Sequence, residues 1–262
     1  MIRRCVLCLA LIALAVPAFA QVPVLVDVDW LAQNLNSARV IVLHRGRNYS
    51  TKHIPGARDL QGTVTLASLP SLGVSNDSHV VIYSANPEIP APLMFELDSL
   101  GLNNVSLLNG GLAAWEAAKK PTTTEVPRVT PGTLQAPTPR NLIVDAEFVK
   151  SIGKRANHKL VDARAPVFYQ GIEGMHGKAG HIPRAVNIPH RDVESGVLDR
   201  AAIEKAFRSA GINPGDTVVA YCHIGQYARW VVFAARVIGQ PARLYAGSFH
   251  DWTMNDGGPV VK

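Results

Sequence analysis

The chain has 262 residues, of which 18% are charged, and a formal net charge of +6. That mild excess has no Lys/Arg block behind it, which argues against nucleic acid as a partner and leaves small anionic substrates compatible. The length suits one large domain or two of ordinary size.

In chain order, Arg3 and Arg4 make a short positive start, Val6 to Val16 is nearly unbroken apolar sequence, and Ala18-Phe19-Ala20 offers small residues to a signal peptidase. The apolar run is shorter than the roughly 20 residues a membrane span needs. Residues 1–20 are therefore expected to be a cleaved signal peptide, giving an exported, periplasmic or secreted protein that starts near Gln21 and is not held in a membrane. Cys5 and Cys8 leave with that segment, so Cys222 is the sole cysteine of the mature chain and has no internal disulfide partner.

The remainder repeats itself. Val26-Asp27-Val28-Asp29-Trp30 returns as Val144-Asp145-Ala146-Glu147-Phe148, and His53-Ile54-Pro55 as His181-Ile182-Pro183. Val80-Val81-Ile82-Tyr83-Ser84 returns as Val218-Val219-Ala220-Tyr221-Cys222, and Gly110 to Trp115 as Gly247 to Trp252. Four matches in one order mark a tandem duplication. Between the copies, Pro127, Pro131, Pro137 and Pro139 forbid a regular helix and favour an extended, semi-rigid linker. The expected domains are 21–126 and 141–262, joined by residues 127–140.

In the second half, Asp145 is placed to cap a helix whose Phe148, Val149 and Ile152 share a face. Lys159 to Val161 reads as a strand ending at Asp162. Ile203 to Ala210 reads as a helix stopped by Gly211, and Thr217 to Tyr221 as a strand buried on both faces. A helix from Gln226 to Ile238 and a strand from Arg243 to Ala246 follow. Alternating strands and helices imply an α/β fold, here two tandem domains, each a parallel sheet with helices on both faces. Sites in such sheets form at the carboxyl ends of strands, and Cys222 stands at one.

The loop Cys222-His223-Ile224-Gly225-Gln226-Tyr227-Ala228 carries the chemistry. Gly225 permits a tight turn, and the free N–H groups of turn and helix start favour negative charge on a sulfur held among them. Those donors suit an attacking thiolate and equally a persulfide. The loop is expected at an open sheet edge, with His223 as a neighbouring cation when protonated.

This loop, with Val161-Asp162-Ala163-Arg164, Gly180-His181-Ile182-Pro183 and the Gly247 to Trp252 ending, resembles the rhodanese family over essentially the whole mature chain. The resemblance implies a catalytically silent first domain, here with Ser84 where Cys222 stands, followed by Ala85-Asn86-Pro87 without a glycine. It implies that Cys222 takes a sulfane sulfur from a small anionic donor such as thiosulfate, holds a persulfide, and passes the sulfur to cyanide or a thiol, without a cofactor. The chain departs from the family's two familiar loops, because His223 and Ile224 replace both the basic pair and the Gly-Ser pair. Phe168 stands where the family has a second arginine. Arg164 and His223 are expected on the substrate side, with Lys178 and Arg229 as further cationic neighbours.

Other residues have structural readings. His53 and His181 fix their Ile-Pro turns, Asp162 orients Arg164, and Trp115 and Trp252 belong to the core. The nine histidines show no metal-ligand spacing. Two competing functions remain: a persulfide carrier or redox-sensing module, and a cysteine phosphatase or arsenate reductase. The latter needs arginine six residues after the cysteine, where this chain has Ala228 with Arg229 one place late.

Overall fold

A computed structural model describes residues 22–86, 89–194, 197–255 and 258–262, so the expected signal peptide lies outside the described residues. The first half runs β1 (Leu25–Val26), α1 (Val28–Asn34), β2 (Val40–His44), β3 (Arg58–Asp59), β4 (His79–Tyr83), α2 (Pro90–Ser99), β5 (Val105–Leu108) and α3 (Gly111–Ala117). The second runs β6 (Ile143–Val144), α4 (Ala146–Ser151), β7 (His158–Asp162), α5 (Pro166–Tyr169), β8 (Gly174–Met175), β9 (Lys178–Ala179) and β10 (Val186–Asn187). It continues with α6 (Arg200–Ser209), β11 (Thr217–Tyr221), α7 (Ala228–Val237), β12 (Ala242–Tyr245) and α8 (Ser248–Met254).

The strand orders are β1-β5-β4-β2-β3 and β6-β12-β11-β7-β10, with parallel pairing throughout both sheets. Replacing each strand by its echo turns one order into the other, so the repeat seen in the sequence is a repeat of topology. The antiparallel β8–β9 hairpin is an addition in the second half. Matching residues start the copies: Asp27 accepts the Trp30 N–H at 2.7 Å and Asp145 accepts the Phe148 N–H at 2.8 Å. Each carboxylate satisfies a donor that the first helical turn leaves unpaired.

Period-two alternation shows that both faces of each sheet are covered. Val80 and Ile82 of β4 pack with α2, whereas Val81 and Tyr83 pack with Leu31 of α1 and Trp115 of α3. Likewise Val218 and Ala220 of β11 join Phe207 of α6 and Val231 of α7, while Val219 and Tyr221 meet Val149 of α4 and Phe249 and Trp252 of α8. A strand buried on both sides has no polar face, which accounts for the apolar runs of β4 and β11.

The halves do not keep separate cores. One apolar cluster runs from Leu93, Met94 and Leu97 of α2 to Val231, Val232 and Ala235 of α7. Nearly every residue of α7 from Ala228 to Val237 is buried, as expected of a helix enclosed on all sides. Arg229–Glu96 at 3.7 Å and Arg236–Asp98 at 3.5 Å lie beside this junction. The proline-rich segment is extended, but hydrogen bonds tie it to the first half: Gly132 N–H donates to the Pro70 carbonyl at 2.8 Å, and Arg140 bonds Asp98 at 2.6 Å. It is a strap along one half.

Candidate active site

β11 delivers Cys222 to the carboxyl edge of the second sheet, and α7 starts at Ala228. The turn between them depends on Gly225, whose φ is +85°. Its N–H points at Cys222 Sγ from 3.2 Å and is one of the several turn and helix-start donors expected there. A Cβ at this position would stand 2.4 Å from the Ala246 carbonyl oxygen, inside contact distance of backbone that cannot swing away. Gly225→Val therefore combines a left-handed φ that β-branched residues resist with a backbone clash. We expect it to slow alkylation and sulfur transfer together, by roughly a hundredfold for a displacement of about 1 Å. Parallel rates with iodoacetamide and with a sulfur donor check this, and wild-type rates in both would refute it.

Cys222 is 0% exposed, so the open-edge expectation for the sulfur needs correction. The start of α8 closes over the loop. Phe249 N–H donates to the Cys222 carbonyl and His250 N–H to the His223 carbonyl, both at 3.0 Å. Cys222 N–H in turn donates to Ser248 Oγ at 3.1 Å, and that hydroxyl donates to the Tyr245 carbonyl at 2.9 Å. Ser248 was not among the residues expected at the site. Its φ is +58°, against +55° for its first-half echo Gly111. A serine placed where the other copy uses glycine was the legible signal, and its two hydrogen bonds hold it in that strained conformation.

The other loop residues divide by exposure: Ile224 is 59% and Tyr227 46% exposed, Gln226 is exposed, and Ala228 is buried in the junction. His223 is half-buried with its ring edge-on to Phe168, centroids 4.6 Å apart. Burial, then the nearby Arg164 charge, pushes its pKa below the usual histidine value. The condition set for His223 to act as a cation, protonation, is therefore disfavoured at pH 7. Across the loop, His190 stacks on Tyr227 at 4.3 Å and faces Glu194 at 3.3 Å.

Arg164 is 2% exposed. Its guanidinium bonds Asp162 through Nε and NH2, the latter at 2.6 Å, and donates to the Gly180 carbonyl at 2.7 Å. The remaining face lies 4.0 Å over the Phe249 ring. Tyr221 donates to the same Asp162 carboxylate at 2.8 Å, and burial, then that carboxylate, keeps its phenol protonated well above the ordinary range. Asp162 thus orients Arg164 as expected, but no exposed guanidinium is left for a substrate. Arg229 turns to Glu96, and Lys178 sits on β9. His53 and His181 stack on Tyr49 and Tyr169 and bond their carbonyls, as turn-fixing residues. Trp115 and Trp252 are 1% and 3% exposed. His176 meets His250, with Nε2 and Nδ1 2.9 Å apart.

The first half shows the same frame without the chemistry. Ser84 Oγ accepts the N–H of Asn86, two residues on, at 3.0 Å, in a tighter curl than the Cys222 turn. His44, which pairs Tyr83 as Asp162 pairs Tyr221, is 0% exposed, and burial holds its pKa below the usual value. Gly46 occupies the place of Arg164, two residues after the strand-end residue. A cavity of about 180 Å³ opens beside Ser84, lined by Gly110, Gly111, Ala113, Leu198 and Trp230 among others. Cys222 has no part in it. The space follows from small residues, since Gly111 and Ala113 stand where the second half has Ser248 and His250.

The pattern of the family described as rhodanese-like domain matches residues 27–118 and 145–255. The chain is 31% identical to the sulfur carrier protein TtuD of Thermus thermophilus, across 93% of this chain and 98% of that one. It is 27% identical to a thiosulfate sulfurtransferase of Pseudomonas aeruginosa, across 92% and 98%. Its backbone is similar to that of SseA from Escherichia coli, described as a 3-mercaptopyruvate sulfotransferase with the rhodanese fold, at a TM-score of 0.70 and 21% identity, across 87% and 99%.

Proposed function

Because the chain belongs to the rhodanese-like family, as a tandem pair of its domains, we propose that Cys222 is the atom carrier of its sulfurtransferase activity. The family's reaction moves a sulfane sulfur through a cysteine persulfide. The observation that carries the assignment to Cys222 is the Gly225 N–H aimed at its sulfur from 3.2 Å at the end of β11. A thiolate there attacks the outer sulfur of a donor such as thiosulfate. A new S–S bond forms, and the old one breaks with its electron pair leaving on sulfite. Cyanide or a thiol then attacks the outer sulfur of the persulfide and releases the thiolate. No electron is lost or gained overall, so no cofactor is called for.

A second reading, a stoichiometric sulfur carrier, draws support from the Thermus thermophilus relative of that name. Turnover separates the two, because a carrier stops after one transfer. The phosphatase reading loses its oxyanion clamp, since Arg229 faces Glu96 at 3.7 Å.

We also propose export. The reading is supported by the Arg3-Arg4 start, the apolar run from Val6 to Val16, and Ala18-Phe19-Ala20, small residues of the kind a signal peptidase reads. Intact-mass spectrometry of the exported protein treated with thiosulfate tests both proposals. It should show a chain starting near Gln21 and a gain of about 32 Da, one sulfur, removable by cyanide. A chain starting at Met1 overturns export, and an unmodified Cys222 overturns the persulfide assignment.

A further inference from the structure

We infer that the cavity beside Ser84, between the two halves, binds a small uncharged molecule of about the bulk of a benzene ring that carries a hydrogen-bond acceptor, a cyclic ketone being the type. The inference does not rest on the sulfur chemistry at Cys222.

Size and lining set the class of occupant. The cavity measures about 180 Å³, and carbon-lined cavities of roughly 150 Å³ admit benzene. Pro90, Leu107, Leu108 and Ala113 of the first half and Leu198 and Trp230 of the second supply carbon walls. No Asp, Glu, Lys, Arg or His is among the lining residues. An ion entering would shed its water and meet no counter-charge. Backbone holds the space open. Gly110 and Gly111 have φ of +76° and +55°, and a Cβ on Gly111 would stand 2.4 Å from the Ser84 carbonyl oxygen. A side chain added there would have to displace the end of β4.

The polar groups of the wall set the handle. Ser84 is 7% exposed, and its Oγ accepts the Asn86 N–H at 3.0 Å, but the hydroxyl donates to nothing among the described residues. Trp230 is 3% exposed, and its indole N–H likewise has no acceptor among them. The contrast with the other deeply buried tryptophans is direct. Trp115 donates to the Pro121 carbonyl and Trp252 to the Pro259 carbonyl, each at 2.8 Å. A buried indole N–H ordinarily finds such a partner, and leaving it unpaired is costly. The Asn109 amide is already engaged. It accepts the Leu198 N–H at 2.7 Å and donates to the Leu198 carbonyl at 2.9 Å, which joins the two halves beside the cavity. The two unspent groups are both donors, so the wall calls for an acceptor. A carbonyl oxygen, with two lone pairs and no charge, meets that demand. Because the wall comes from both halves, an occupant bridges them, and binding to the folded chain raises its stability.

The experiment titrates cyclohexanone into the protein while the tryptophan indole N–H signals are followed by NMR, with Trp230→Phe identifying the Trp230 signal. That signal should move saturably with a Kd of about 1 mM or tighter, a value within reach of seven non-hydrogen atoms. Tm should rise by about 3–6 °C at ten times the Kd. Cyclohexanecarboxylate, with the same ring and a charge, should bind at least about tenfold more weakly. Ser84→Ala should weaken cyclohexanone binding by about two- to tenfold, the worth of one neutral hydrogen bond. Ala113→Phe, at an exposed position of α3 on the cavity wall, should fill the space and abolish the shift, and Ala113→Leu serves if the larger ring folds poorly. Absence of a saturable Trp230 shift overturns the inference, as does equal binding of the carboxylate. Wild-type affinity in both the Ser84 and the Ala113 variants places the probe elsewhere and overturns it as well.

Discussion

Cys222→Ser should abolish sulfur transfer, with a loss of at least about a thousandfold, while Ser84→Ala leaves turnover nearly unchanged. A hydroxyl is far less ionised than a thiol and cannot form a persulfide, so the substitution removes both nucleophile and carrier. The contrast between the copies is geometric as well as chemical. At Cys222 the N–H three residues on points at sulfur from 3.2 Å, whereas at Ser84 the N–H two residues on closes a smaller turn at 3.0 Å. The first half also lacks the carboxylate–guanidinium support, having His44 and Gly46 in its place. Ser84→Cys should therefore remain unreactive toward donor in a Cys222→Ser background. Persulfide on that introduced cysteine, at a rate near that of Cys222, would show that the loop geometry is immaterial. Comparable losses in Cys222→Ser and Ser84→Ala would move the chemistry to both halves.

Much of this architecture is legible in the amino-acid sequence. Repeats of four short segments mark the duplication, because an echo in the same order requires the same topology. The apolar runs at Val80 and Val218 mark central strands, because only a strand covered on both faces dispenses with polar alternation. Gly225 is readable too, since a strand end followed at once by a helix start leaves room only for a tight turn. Features set by three-dimensional neighbours are not. The shared core between α2 and α7 has no local signature beyond a helix that is apolar all round. Exposure of Cys222 depends on α8 folding over it, and Ser248 sits 26 residues from the N–H it holds. The charge state of His223 depends on burial and on Arg164, neither visible in its own sequence context.

Arg164 is the sharpest case, and its variant carries the largest expected loss of stability. A guanidinium beside a reactive loop suggests substrate binding, yet this one is buried against Asp162 and Gly180. Arg164→Met keeps much of the side chain's length over Phe249 but leaves the Asp162 carboxylate buried with only the Tyr221 hydroxyl and the backbone N–H at position 164 as donors. Removing one partner of a buried pair costs about 3–5 kcal/mol, because the remaining charge has lost its counterion away from water. Adding Asp162→Asn removes that charge, so the double variant should recover a good part of the loss, and a double-mutant cycle by urea denaturation measures the coupling. Activity should fall with stability. Arg164 lies 4.0 Å over Phe249, whose N–H holds the Cys222 carbonyl at 3.0 Å, so loosening the ring loosens the loop. That effect acts on kcat, through misplacement of the sulfur. A folded Arg164→Met protein of normal stability, with KM for the donor raised and kcat intact, would instead put the guanidinium in contact with substrate and restore the role its sequence position suggests.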